Sequence, residues 1–346
     1  MTPRSLAAPL AALVAVLCTG VPVSSAAAVP PQVSLTFVGD MILGSTPNLP
    51  SNPTNYLAPV GKELRNRSDA VFANLEGTLT SNGPSKCPSG SGGTCYAFRN
   101  PPSFARAFAS TGFAVLGMAN NHSYDFGSTG LRSTQTAITN AGMSYTGMPG
   151  QITYLKRHGI RIAFVAFAPY GRTNNLLDTT AAARLIRKAH SQAPVVVVYM
   201  HAGAEGSSAA HVTGREEYFA GEDRGNPRRF AHLAIDNGAS LVVASGPHVL
   251  RGAEFYHHHL IDYSLGNFAN FHNFSSSGNL SRSAILHVTL SSKGAFVTAQ
   301  LVSVRLDSAG RASLGGSSIG FVGSLSRADF GSAAAAISST GRIRQP

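Results

Sequence analysis

Five short polar clusters in this chain carry residue types that bind metals and move protons, and each closes an apolar run. They are Gly39-Asp40 after 33–38, Asn74-Leu75-Glu76 after 70–73, and Asn120-Asn121-His122 after 113–119. His201 closes 195–200, and Gly246-Pro247-His248 follows 241–244. Carboxylates, a carboxamide and imidazoles form a mixed oxygen and nitrogen donor set that suits manganese, iron or zinc. The third cluster adds acid–base chemistry. An amide oxygen at Asn121 can serve as a ligand and His122 as a general acid, with Asp125 three residues on to orient the imidazole. Singly, each residue also has a structural reading: Asp40 caps a turn, Glu76 is solvated or caps a helix, and the histidines are hydrogen-bonded fixtures. Their shared placement argues for a site.

That placement depends on the elements around them. The apolar runs are bounded by turn residues and separated by helix-like stretches, which predicts buried strands of an α/β sheet. Ligands in such sheets gather beyond the carboxyl ends of the strands, where all five clusters stand. Helices are predicted over 56–67, from Pro101-Pro102 onward, and over 128–140, 181–190 and about 227–237. Residues 152–168 read as a hairpin turning at His158-Gly159. Strands over 252–256, 260–264, 283–290 and 295–306 follow, with alternation in 284–288 that fits antiparallel pairing. His257-His258-His259 reads as an exposed hairpin turn. The polar stretch 202–226, with His211, Glu216, Glu217, Glu222 and Asp223, is long enough to be a mobile lid. No linker or repeat divides the chain. One domain is expected over 33–325, with 326–346 as a disordered tail.

Of the 346 residues, 43% are hydrophobic and only 12% charged, a globular balance that can fill a full core. Lys and Arg outnumber Asp and Glu by 27 to 16, for a net charge of +11. Such a charge favours anionic partners. No basic run with interleaved aromatics speaks for nucleic acid. Nucleophile elbow, Walker loop and dinucleotide fingerprint are absent from the sequence. Oligomeric state is not legible.

Arg4, the apolar stretch 6–23 and the small-residue exit Ser24-Ser25-Ala26-Ala27-Ala28 form a secretory signal peptide over 1–28. An uncleaved membrane anchor is the alternative, and Cys18 invites a lipoprotein reading that Leu17 disfavours. The protein is therefore expected to be exported, either secreted or associated with the cell surface or membrane. In that oxidising compartment Cys87 and Cys95 are expected to form a disulfide across their Gly/Ser-rich loop.

These segments together resemble the bacterial poly-γ-glutamate capsule-synthesis family of CapA type, which is similar to the calcineurin-like metallophosphoesterases. The resemblance runs from about 33 to 268. It rests on Val38–Gly44, Asn74-Leu75-Glu76, Phe98–Pro102, Ala119–Gly127, His201–Glu205 and Tyr263–Phe268. It implies a four-layer α/β/β/α sandwich with one or two divalent metal ions at the strand ends. Asp40, Glu76 and His248 would hold one ion and Glu76, Asn121 and His201 the other. His122 would stand as general acid, with Asp125 as its partner. Paired ions of this kind activate water and clamp a transferring phosphoryl group. Two positions depart from the family patterns: Ile42 replaces a His of the phosphoesterases, and Gly246 replaces the first His of the capsule family's His-Pro-His.

The resemblance implies a metal-dependent, phosphoesterase-like hydrolase of the cell envelope, tied to poly-γ-glutamate capsule or another anionic surface polymer. An anionic polymer or phosphoester is the expected substrate, and a membrane synthase complex the expected partner. A non-catalytic polyanion-binding accessory protein is the alternative. A hydrolase acting on γ-glutamyl amides is a third reading.

Overall fold

The computed structural model describes residues 1–3, 8, 30–66, 68–88, 93 and 95–346, so the leader expected over 1–28 falls almost wholly outside them. Residues 31–346 pack as one unit. Two sheets stack face to face. The larger has ten strands, in the order 336–337, 342–344, 296–306, 282–291, 32–41, 70–75, 113–117 and 144–146, with 267–269 and 312–314 pairing off this path. The smaller runs 253–256, 259–262, 241–245, 195–201, 160–167 and 153–157.

Alternation along each strand builds the layers, because successive side chains point to opposite faces. Val33, Leu35 and Phe37 enter the core between the sheets, while Val38 and Met41 enter a second core. That second core is roofed by α1 (Pro53–Arg65), α2 (Phe104–Thr111) and α3 (Gly127–Asn140). In the other sheet, Val195, Val197 and Tyr199 face inward, and Val196, Val198 and Met200 face α4 (Thr179–Gln192) and α5 (Pro227–Asp236). The result is the expected α/β/β/α order. A strand covered on both faces has no polar side, which is why these strands read as unbroken apolar runs.

All five strands that end in the polar clusters run parallel to one another within their sheets. Gln32–Met41 pairs with Ala70–Leu75, which pairs with Phe113–Gly117, and Val195–His201 pairs with Leu241–Ser245. Parallel pairing brings their carboxyl ends to one edge.

Three expectations need comment. Cys87 and Cys95 are bonded, as expected. The tail expected to be disordered over 326–346 is instead ordered. It holds the end of α6 (Ser318–Phe330) and two short strands, the second of which pairs Ile343 with Ala299 on the sheet edge. Phe330, Ala334, Ala335 and Ile343 are buried there, and an edge strand offers free backbone groups for such an addition. Helix α6 carries no clear helical signal in the sequence, because Ser and Gly fill five of its thirteen positions and blur its apolar face. The third concerns the stretch 202–226, which is anchored rather than a free lid. Fully buried Arg251 makes a bidentate pair with Glu217 (2.6 and 3.0 Å) and donates to the Ala209 carbonyl at 2.8 Å. Glu217 in turn accepts the Ala204 amide at 2.8 Å.

Asp262, at the end of its strand, is buried without a cationic partner, and burial pushes its pKa up to about 8. In the unfolded chain it ionises near pH 4. The native state therefore binds the extra proton between about pH 4 and pH 8. Stability is fully present below that window and falls as pH rises through it. Asp262→Asn should remove this slope and raise stability at pH 8 by a few kcal/mol, on the order of 1.4 kcal/mol per pH unit crossed. Urea unfolding of both proteins at pH 5 and pH 8 measures it. Parallel pH profiles would rule out a neutral Asp262.

Candidate metal centre

Asp40 stands just past an irregularity in its strand, where the pairing register shifts between Phe37 and Asp40. Gly39 makes this possible: a Cβ there would lie 1.8 Å from the Gly266 carbonyl oxygen. That carbonyl accepts the Asp40 amide at 2.9 Å. The Asp40 carboxylate is saturated. Oδ1 accepts from Asn74 Nδ2 at 2.7 Å and from the Ser245 hydroxyl, and Oδ2 accepts the Gly246 amide at 3.0 Å. His201 Nδ1 and His248 Nδ1 each lie 3.4 Å from it. Burial opposes its ionisation. The hydrogen bonds and charges of the two histidines nonetheless hold its pKa far below the usual carboxylate range.

Glu76 is the opposite case. Both its oxygens are buried with no hydrogen-bond partner. Oε1 lies 3.7 Å from Nε2 of His201 and 3.7 Å from Nε2 of His248. Burial, and then the charge of Asp40, push the Glu76 pKa well above the ordinary carboxylate value. Asn121 Oδ1 is a third buried acceptor without a partner. Such atoms are rare and need an explanation, and a cation supplies one. Asp40, Glu76 and His201 offer donor atoms all within 4.8 Å of one another. Two donors on one ion at about 2.1 Å stand roughly 3–3.5 Å apart, so the group needs little closure to hold one. The residues present fit a divalent cation.

His248 takes a left-handed backbone, φ +60, which is uncommon for a residue with a Cβ. Its Nδ1 meets Asn267 Oδ1 at 2.9 Å, which turns Nε2 toward Glu76. Burial disfavours charge on this ring, but the carboxylates of Glu76, Asp40 and Glu205 outweigh it and raise its pKa. On His201, burial wins and the pKa is lowered.

His122 and Asp125 form the expected dyad, Nδ1 to Oδ2 at 2.8 Å. Asp125 also takes the Phe98 amide at 2.6 Å and Lys86 Nζ at 2.7 Å. Burial lowers the His122 pKa while Asp125 works against it. A carboxylate can only accept, so Nδ1 carries the proton and Nε2 is the free face. Phe98 covers the His122 ring at 4.4 Å and packs on Phe274, which covers His248 at 4.6 Å. The His122 and His248 imidazoles share one aromatic roof.

Asn120, next in sequence to the orphan amide of Asn121, has a scaffold role. It donates to Asn74 Oδ1 and the Leu75 carbonyl and accepts the His122 amide. The two departures from the family patterns are built in. Ile42 is buried, and Gly246 has φ +112 with Ala202 N only 2.9 Å from where its Cβ would be. A histidine at Gly246 would not fit this backbone. The fold brings Asp40, Glu76, His201 and His248 within 3.4–3.7 Å contacts of one another and sets the His122–Asp125 pair beside them under the same phenylalanines. Sequence reasoning assigned no role to Asn74 or Ser245, which saturate Asp40, nor to Lys86, Glu205 and Arg224. Asn74 and Glu205 lie inside the resemblance segments, whereas Arg224 sits in the polar stretch with no signal around it. A cavity of about 390 Å³, lined by Lys86, Asn121, Tyr124, Tyr170 and Arg172 among others, opens beside this group.

Residues 34–272 match the family model of the bacterial capsule synthesis protein PGA_cap. The chain belongs to this family. Over 173 residues this PGA_cap chain is 31% identical to the PGA biosynthesis protein CapA of Bacillus subtilis, covering 45% of this chain and 42% of that protein. Over 187 residues it is 30% identical to the capsule biosynthesis protein CapA of Bacillus anthracis, covering 47% and 41%. The matches thus span less than half the length of either relative. Purple acid phosphatase from yellow lupin aligns with 80% of this chain and 52% of its own, at 11% identity and a TM-score of 0.41. GAP50, the anchor in the inner membrane complex of Plasmodium, aligns with 79% and 84%, at 13% identity and a TM-score of 0.39. No helix among the described residues is long and apolar enough to cross a membrane.

Proposed function

We propose that this chain is an exported, metal-dependent, phosphoesterase-like hydrolase of the cell envelope that acts in the synthesis of poly-γ-glutamate capsule or another anionic surface polymer. The observation that carries the chemistry is Glu76: a buried carboxylate whose two oxygens have no partner, set between two imidazole nitrogens at 3.7 Å. Glu76, His201, His248 and Asn121 would hold a divalent ion, with Asp40 beside them. When bound, such an ion supplies Lewis-acid charge to a phosphoryl oxygen and lowers the pKa of a water molecule.

The chain's own groups do the rest. His122 exchanges a proton at Nε2, and Asp125 fixes its ring and tautomer. Phe98 and Phe274 keep water from the imidazoles. Lys86 and Arg172 at the adjoining cavity, on a chain of net charge +11, draw an anionic chain toward the site. The capsule-synthesis relatives support an envelope setting; a membrane synthase is the proposed partner.

A second reading has its own support. Ile42 and Gly246 remove two imidazoles from the family patterns, which favours a polyanion-binding accessory without turnover. Metal content separates the two. Untagged protein should retain at least one manganese, iron or zinc ion per chain, and His248→Ala should lower that content. No retained ion after reconstitution with each of the three metals would leave the accessory reading standing. Loaded protein that hydrolyses no phosphomonoester, phosphodiester or γ-glutamyl amide, yet binds polyglutamate, would do the same.

A further inference from the structure

Arg224 is a buried cation inside the candidate centre. It is 1% exposed and comes from the anchored polar stretch rather than from a strand end. Its Nη1 meets Glu205 Oε1 at 2.6 Å, and its Nη2 lies 3.4 Å from His201 Nε2. Its Nε is buried with no hydrogen-bond partner. The other oxygen of Glu205, Oε2, stands 3.5 Å from His248 Nε2, which itself is 3.7 Å from Glu76 Oε1.

A guanidinium has only donors, so the nitrogen of His201 that faces it presents a lone pair. That lone pair cannot serve Arg224 and a metal ion at once. The carboxylates lead the same way. Asp40 is saturated by Asn74, Ser245 and Gly246, whereas Glu76 is free and Glu205 Oε2 is turned to His248. Charge balance agrees. Asp40, Glu76 and Glu205 bring three negative charges and Arg224 one positive, so one divalent ion neutralises the cluster. A second ion would leave two uncompensated positive charges in a buried site, which is strongly unfavourable.

We propose that this is a one-ion centre in which Arg224 occupies the place of a second cation and Glu205 supplies a ligand that Ile42 and Gly246 do not. The ion is shared by Glu76, His248 and Glu205. Arg224 holds Glu205 in position and offers its free Nε–H to an anionic oxygen of the substrate, phosphoryl or carboxyl. This rests on the metal-site reading above and revises its ligand set: Glu76 and His248 are kept, Glu205 is added, and His201 Nε2 is left to Arg224.

The test is equilibrium dialysis of the untagged full chain against Mn²⁺, with electron paramagnetic resonance of the bound ion. Manganese is chosen because the exposed His257-His258 turn would capture zinc or nickel more readily. Wild type should bind one ion with the six-line signal of an isolated centre. Arg224→Met frees His201 Nε2, which joins the already unpartnered oxygens of Asn121 and Glu76, and should bind two ions with the signal of a coupled pair. Glu205→Gln should weaken the single ion by about tenfold or more. Arg224→Gln, which keeps a donor toward Glu205 without the charge, repeats the test should Arg224→Met fail to fold. Two ions in wild type overturn the proposal, as does a single ion in wild type and in a folded Arg224 variant alike. No ion in any of them removes the metal-site reading itself.

Discussion

Asp40→Asn should destabilise the metal-free protein by about 3–5 kcal/mol, whereas Glu76→Gln should cost about 1 kcal/mol or less. Both are buried carboxylates at strand ends of the same site, and a residue-type argument would treat them alike. They differ in what they already hold. Asp40 accepts from Asn74, Ser245 and Gly246 and answers two imidazoles, so an amide there turns a donor onto donors and strands the histidines. Glu76 has no hydrogen bond to lose, and burial with the Asp40 charge already favours its neutral carboxyl, which a neutral amide matches. Chemical denaturation in the presence of chelator reads both. Ion retention should fall in Glu76→Gln despite its unaltered stability, because the orphan oxygens are what call for a cation. Equal losses of stability would mean that Glu76 is partnered in solution, and the argument for the ion would lose its foundation.

Replacing His122 with alanine should cut turnover of an alkyl phosphoester by roughly 10²–10⁴-fold. The loss should be much smaller for an aryl ester, whose leaving group departs readily without a proton. Ion content should hardly change, since the His122 ring is held by Asp125 rather than facing Glu76. Polyglutamate binding, driven by surface charge, should persist and weaken with added salt. Steady-state kinetics on the two ester classes, with metal analysis of the same samples, make the comparison. Equal losses on both esters would show that His122 does not protonate the leaving group.

Much of the frame was legible in the chain. Apolar runs such as 195–200 predict strands covered on both faces, and the polar residues that close them predict a shared edge, because parallel strands must end together. The hairpin at His158-Gly159 and the helix opened by Pro227 stand where turn and cap chemistry puts them, and the helix over 127–140 where its apolar spacing does. Helix α6 and the last two strands were not legible. Ser and Gly interrupt the apolar face of the helix, and the last strand is held by an edge strand that belongs to another part of the chain.

By itself, then, the sequence determined the buried strands and their polar ends through local periodicity, and the family through ordered motifs whose resemblance implied the layer order. The state of each functional group was decided only in three dimensions. Asp40 owes its saturation to a hydroxyl 205 positions away, and His201 meets a guanidinium from a stretch that carries no motif. Whether a buried carboxylate is satisfied, orphaned or countered by a cation depends on which donors long-range packing brings within about 3 Å. No local pattern encodes that distance, so Asp40 and Glu76 look alike in the chain and are opposites in the fold.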